Sequence, residues 1–237
     1  MKTNALGSAM LLSKRLIIIA SATVVCLASW VTCCKAQQSD LPEVECASPL
    51  GNKDAGKTET AIGDLTADAI RYVLRTDVAF IAASEIKPKD PPIPAGKVTL
   101  NDIRPLISYP DDPLAVLELT GSAIKEALER AVSIYPLPNL AFLQVSGIQF
   151  VFDPKRPSGD RIVSVTIAGA PLKVDTTYTV AVTNSMANGA LGYWKIWKEK
   201  DVKARRPDTS IVKALEAFFK ANPRIDYSKL DRIKPAQ

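Results

Sequence analysis

The stretch 114-LAVLELTGSAIKEALERAV-132 decides how this chain is read. Its first six residues are apolar apart from Glu118, which predicts a buried strand. Thr120 follows as a helix N-cap. Ile124, Ala127, Leu128 and Ala131 then recur at helical spacing and predict one apolar helix face. A strand that runs straight into a capped amphipathic helix is a unit of a mixed domain. The neighbouring segments extend that reading on both sides.

Upstream, 58-TETAIGDLTADAIRYVLR-75 fits a helix, with Ile62, Leu65, Ala69, Ile70, Val73 and Leu74 on one face. Asp77–Ala83 reads as a buried strand. The four prolines and the glycine of 88-PKDPPIPAG-96 require a loop. Val98–Ile107 reads as one short helix capped by Thr99. Downstream, Phe142–Asp153, Arg161–Ala168 and Thr177–Thr183 read as strands, separated by turns at 154–160 and 169–176. Asp208–Ala221 closes the pattern with an amphipathic helix whose Ile211, Leu215, Phe218 and Phe219 face the core, and Asn222-Pro223 stops it. Helices and strands mix without strict alternation. The expected class is α+β, a single domain with a mixed sheet and packed helices over residues 57–237.

The ends of the chain carry other signals. Residues 1–36 read as a secretory signal, with a basic Lys14-Arg15 edge and an uncharged apolar run from Leu16 to Val31. The run is shorter than the roughly 20 residues a spanning helix needs. Small residues at Cys34 and Ala36 predict cleavage after Ala36 and an exported product, periplasmic or extracellular. The alternatives are an uncleaved membrane anchor and a lipoprotein attached at Cys33. Residues 37–56 are polar and turn-rich and read as a linker.

Charge and cysteine content follow from that division. The chain has 30 basic and 25 acidic residues. Segment 1–36 holds Lys2, Lys14, Arg15 and Lys35 and no acid, so the basic excess is largely an export feature. No basic face for nucleic acid is expected. Of the four cysteines only Cys46 lies beyond the signal, in the expected linker, so no internal disulfide is expected in the mature chain. The chain has no histidine. That excludes Ser-His-Asp and Cys-His catalysis and every histidine-containing zinc site.

Six segments in order carry a resemblance: 59-ETAIGDLTADAI-70, 96-GKVTLNDI-103, 114-LAVLELTGSAIKEALE-129, 143-LQVSGIQFVFD-153, 173-KVDTTYTVAVTN-184 and 187-ANGALGY-193. Over Thr58 to about Tyr193 the chain resembles the C-terminal domain of the 5'-nucleotidases and UDP-sugar hydrolases. Asp231-Arg232-Ile233 is a looser match. The resemblance implies an α+β domain that binds a nucleoside by stacking its base between two aromatic rings and holding its ribose by polar side chains. It also implies two divalent metals, held by Asp, His and Asn ligands in an N-terminal metallophosphoesterase domain. That domain is expected to be missing here, so no cofactor and no catalytic residue are assigned to this chain.

The family positions have changed. Where the family has Asn-x-Gly-Gly-Ile-Arg, this chain has 82-AASEIK-87: Ala82 replaces the Asn, Ser84 and Glu85 the glycines, and Lys87 the Arg. Lysine is a point charge where arginine is a planar fork, and Glu85 is expected to repel a phosphate. The first ring position falls in 109-YPDDPL-114, where counting back from Leu114 puts Pro110 at the ring and Asp112 at the family Asn, and a one-residue shift makes Tyr109 the candidate platform. Ser185 and Met186 stand at the second ring position. The ribose loop Gly-Gly-Asp-Gly-Tyr is 189-GALGY-193 here, with Leu191 replacing the Asp. Leucine accepts no hydrogen bond, which costs a ribose hydroxyl about 1–3 kcal/mol.

The candidate ligand-binding residues are therefore Lys87, Tyr109, Asp112, Asn188, Gly189, Gly192 and Tyr193, with no metal ligands. The remaining groups have plainer readings. Asp111-Asp112 sits between prolines as a solvated turn, Asp64 and Asp68 share a polar helix face, and 198-KEKDVKARR-206 is a solvated loop. Trp194 and Trp197 either pack on the domain or form a contact patch. The expected function is an exported binding or interaction module with a degenerate nucleoside pocket. The alternative is a substrate-binding subunit of a split nucleotidase, completed by a separate metallophosphoesterase chain. Its expected partners are such a chain or another exported protein, and a nucleoside or nucleotide. Nucleic acid is not expected, and membrane only through an uncleaved signal.

Overall fold

A computed structural model describes residues 42–236. The expected signal, its expected cleavage site and Cys33 lie outside the described residues. The strands are β1 (Glu43–Cys46), β2 (Val78–Ala82), β3 (Gly96–Thr99), β4 (Pro113–Thr120), β5 (Leu143–Ser146), β6 (Ile148–Phe152), β7 (Ile162–Ile167), β8 (Ala170–Pro171), β9 (Thr177–Thr183), β10 (Val202–Ser210), β11 (Arg224–Ile225) and β12 (Ile233–Pro235). The α-helices are α1 (Ala61–Leu74), α2 (Leu100–Ile103), α3 (Gly121–Ala131), α4 (Asn184–Ala187) and α5 (Ile211–Ala221). The class is α+β. Among the described residues no helix is long and apolar enough to cross a membrane.

The central sheet runs β10-β4-β9-β2-β5. Only β2 and β9 pair parallel, and the other contacts are antiparallel, so the sheet is mixed. Strand alternation divides the core between its two faces. Val78, Phe80 and Ala82 of β2 face one apolar cluster, completed by Ile124, Ala127, Leu128 and Ala131 of α3 and by Phe150 and Phe152 of β6. Ala79 and Ile81 face the other, with Ile62, Leu65, Ala69 and Ile70 of α1, Leu215 and Phe219 of α5, and Val44 and Cys46 of β1. Two smaller sheets, β11-β1-β3 and β12-β6-β7-β8, complete the domain.

The stretch that opened the reading behaves as its pattern predicts. β4 enters α3 through Thr120, whose hydroxyl accepts from the Ala123 amide at 3.3 Å. Thr60 caps α1 in the same way, accepting from Gly63. Such caps contribute about 1 kcal/mol each.

Four expectations are corrected. The segment 37–56 is not linker throughout: β1 lies inside it, and Val44 and Cys46 are 1% exposed. The Cys46 thiol is part of the core, donating to the Ser48 carbonyl at 3.1 Å, and burial raises its pKa. The single strand expected over Phe142–Asp153 breaks at Gly147 into β5 and β6, which join different sheets. Part of 198–206 is not loop but the start of β10, the edge strand beside β4. Its exposed outer face explains the polar reading. The helix expected over Val98–Ile107 is a strand end, a single turn of α2 and a 3₁₀ turn at Arg104–Leu106.

Candidate functional site

β2 and β9 run parallel and β4 opposes β9, so the ends of β2 and β9 and the start of β4 share one end of the sheet. Three loops meet there: the 3₁₀ turn Ala83–Glu85 after β2, the turn 108–112 before β4, and α4 with the loop that follows β9. The first two are stitched by the backbone. Ser108 N donates to Glu85 O at 2.9 Å, and Lys87 N donates to Leu106 O at 2.7 Å. Asp112 joins the second to the third, accepting from the Ser185 amide at 3.2 Å.

Glu85 holds the centre of this junction. Its side chain points into the protein, not toward the mouth. The carboxylate accepts from its own turn, from the Ala82 amide at 2.7 Å, and from the Thr183 hydroxyl. Thr183 in turn caps α4 by accepting from Met186 N. Burial pushes the Glu85 pKa up to about 7, against the lowering effect of the Thr183 and Ala82 bonds and with a small push from Asp112. The expectation that Glu85 repels a phosphate directly is therefore corrected: its charge is folded inward and serves the loops.

The glycine loop is built as a scaffold. Gly189 and Gly192 have φ of 83° and 87°, and a Cβ on Gly189 would lie 2.5 Å from Trp194. Leu191 between them also has positive φ, 59°, which is unusual for a leucine. Arg130, in the last turn of α3, holds it there: its guanidinium donates to the Leu191 carbonyl, with Nε at 3.0 Å. Tyr193 is fully buried. Its ring stacks on Trp197 at 4.6 Å and 9°, and its hydroxyl donates to the Ala141 carbonyl at 2.7 Å. The expectation that Tyr193 meets a ligand is corrected, since both faces of its function are spent in the core. Trp197 is likewise core and donates to Met186 O, whereas Trp194 is 56% exposed beneath the Lys195 and Lys198 ammonium groups. The two tryptophans do not form one patch.

Beside the junction lies a cavity of about 330 Å³, lined among others by Lys57, Ser84, Lys87, Ser108, Asn139 and Leu140. Of the candidate residues only Lys87 lines it, and its ammonium donates to the Pro105 carbonyl at 3.0 Å. Tyr109 and Asn188 are exposed outside it. Glu85's inward role, Thr183, Arg130 and Asn139 were missed by sequence reasoning. For Arg130 the available signal was a cation in the last turn of a helix aimed at a loop carbonyl. For Glu85 it was a glutamate three residues after Ala82, at capping-box spacing.

Three loops thus converge at one end of a mixed sheet. The chain belongs to the 5'-nucleotidase C-terminal domain family, whose model matches residues 40–199. Human 5'-nucleotidase (Homo sapiens) is 37% identical over 92 residues, which cover 35% of this chain and 16% of that protein. The trifunctional nucleotide phosphoesterase of Bacillus subtilis (strain 168) is 34% identical over 106 residues, 43% of this chain and 7% of that protein. The chain thus spans a small part of these relatives. The 5'-nucleotidase precursor of Thermus thermophilus superposes with a TM-score of 0.74 at 27% identity, covering 89% of this chain and 42% of that one. The family match begins at residue 40, which agrees with β1 as part of the domain. Among the described residues no group of three or more Cys, Asp or Glu is placed to hold a metal ion.

Proposed function

We propose that this chain is a binding or interaction module of nucleotidase ancestry, with a degenerate nucleoside pocket and no hydrolytic activity of its own. One observation carries the reading. Tyr193, which follows the family's ribose loop, is stacked on Trp197 inside the core. The loop before it offers Leu191 in place of a hydrogen-bond acceptor, with its carbonyl occupied by Arg130. The groups that would grip a sugar are spent on holding the domain together.

A thermal-shift screen against nucleosides, nucleotides and UDP-sugars tests it. A ligand at 100 times its Kd adds about 2.7 kcal/mol of stability. We expect weak or no shifts from the nucleotides. Hydrolysis of a nucleotide by the purified chain with divalent metal present would overturn the reading. The export proposal is tested separately: the mature product should begin at Gln37 by mass spectrometry.

A second reading is favoured by the apolar side chains near the cavity. Leu140 on its rim is 67% exposed, Leu137 65% and Tyr109 59%. Exposed apolar side chains on and around the cavity support contact with another protein. The chain would then be the substrate-binding subunit of a split nucleotidase completed by a separate metallophosphoesterase chain. Co-purification with that chain, and hydrolysis only when both are mixed, supports it. Mixing without gain of activity removes it.

A further inference from the structure

The far side of α1 carries a cluster that the candidate site does not use. Residues 226–232 run between β11, which pairs with β1, and β12, which pairs with β6. They cross the N-terminal half of α1 as a strap. Three carboxylates face them. Asp68 takes a two-pronged contact from Arg232, Nη1 at 2.8 Å and Nη2 at 2.9 Å, and accepts from the Tyr227 hydroxyl at 3.0 Å. Glu59 Oε2 accepts from the Arg232 and Ile233 amides, both at 2.8 Å. Asp64 lies 3.3 Å from Arg232 Nε.

The hydrogen-bond count does not close. Glu59 Oε1 and both Asp64 oxygens are buried with no donor. Three carboxylates stand against one guanidinium. A proton shared between Glu59 Oε1 and Asp64 Oδ1 would pair two of these three oxygens, leave Asp64 Oδ2 to Arg232 Nε at 3.3 Å, and leave two negative charges against Arg232. We propose that residues 226–232 are a strap latched by this single shared proton, and that losing the proton releases the strap from α1. Beside it lies an open groove of about 490 Å³, with Tyr227, Ser228 and Leu230 on the strap side and Ser48, Glu59 and Thr60 opposite.

The groups around Asp64 support the latch. Burial, opposed by Arg232 and aided by Glu59 and Asp68, pushes the Asp64 pKa up to about 9. The elements packed on α1 are β2, β5, β9 and α5. β2 and β5 contain no titratable residue. Tyr178 of β9 packs on the opposite core. On α5, Lys220 pairs with Glu216 and Lys213 binds the Asp208 carbonyl. On the strap, Tyr227 hydrogen-bonds Asp68, and Asp226, Lys229 and Asp231 are exposed. The proton therefore belongs to Glu59 and Asp64.

The sign is fixed by linkage. In the released state Asp64 regains an ordinary carboxylate value, so release frees a proton. The opening constant should rise up to about tenfold per pH unit above the ordinary carboxylate range and level off near pH 9. Hydrogen exchange of the Tyr227, Arg232 and Ile233 amides in the full chain, corrected for intrinsic rates, measures it, with Val180 of β9 as the reference. Asp64→Asn supplies a permanent donor to Glu59 and should abolish the slope. Glu59→Gln does the same from the other side, should the first variant fold poorly. A wild-type opening constant flat from pH 5 to 9, or a slope that survives in both variants, would overturn the latch.

Discussion

Two buried acids, one at the loop junction and one under the strap, are satisfied in opposite ways. Glu85, at the loop junction, has hydrogen-bond donors and no cation: the Ala82 amide and the Thr183 hydroxyl. Asp64, under the strap, has a cation at 3.3 Å and no donor of its own. Burial raises both, Glu85 to about 7 and Asp64 to about 9. The difference teaches what each is for. A neutral acid among hydrogen-bond donors holds local loops in register. A crowded acid beside one shared arginine ties together segments far apart in the chain.

The largest effect should come from breaking the second arrangement. Arg232→Met leaves Glu59, Asp64 and Asp68 without their countercharge. Removing one partner of a buried ion pair costs about 3–5 kcal/mol. Urea denaturation at pH 7 should show a fall of that size. A change below about 1 kcal/mol would mean the cluster is a bystander.

The first arrangement predicts a pH window. The folded Glu85 pKa, about 7, lies above its ordinary value of 4.5. Between those values the native state keeps a proton that the unfolded state has released. Stability from this group is therefore full below about pH 4.5 and is lost as pH rises to about 7. At 1.36 kcal/mol per unit, that is about 3 kcal/mol in all. Glu85→Gln keeps an acceptor for Ala82 N and cannot titrate, so it should flatten this part of the stability profile. If the difference between wild type and variant does not change with pH between 5 and 7, Glu85 is not the titrating group.

Sequence legibility divides along the same line. β2 and α3 were readable because their patterns are local: five apolar residues in a row, or apolar residues at helical spacing behind a threonine. β1 was not, because its alternation of Glu43, Val44, Glu45 and Cys46 is only four residues long and lies among turn formers. β10 was hidden by its place at the edge, where lysines and arginines face water. The family resemblance located the three loops of the junction and the substituted positions within them. Which way each side chain turns was not legible. Glu85 inward and Tyr193 into the core depend on Thr183, Ala141 and Trp197, which lie far along the chain or on a neighbouring element. Arg232 reaches Asp68 across 164 positions, a pairing that no local pattern encodes.

Tyr193→Phe tests the site side of the comparison more finely. It removes one buried hydrogen bond to Ala141 and keeps the stack on Trp197. The loss should be about 1–2 kcal/mol, with any ligand affinity unchanged. A drop in affinity at unchanged stability would return Tyr193 to the ligand side.

The smallest effect concerns two left-handed residues, one on each side. Arg75 ends α1 with φ of 53° and is exposed, so its conformation serves only the helix end. Arg75→Gly should stabilise the fold by up to about 1 kcal/mol, because glycine carries no Cβ penalty there. Leu191 has nearly the same φ, 59°, but packs partly against the core and is held by Arg130. Leu191→Gly relieves the same strain and forfeits apolar contact, so its gain should be smaller or vanish. Thermal melts of the two variants side by side separate the cases. An equal gain at both positions would mean that Leu191 contributes no packing and that the loop is free to accept another side chain. A net loss at Leu191 alone would mean that the leucine has become part of the core, and that Leu191→Asp would not by itself restore a ribose contact.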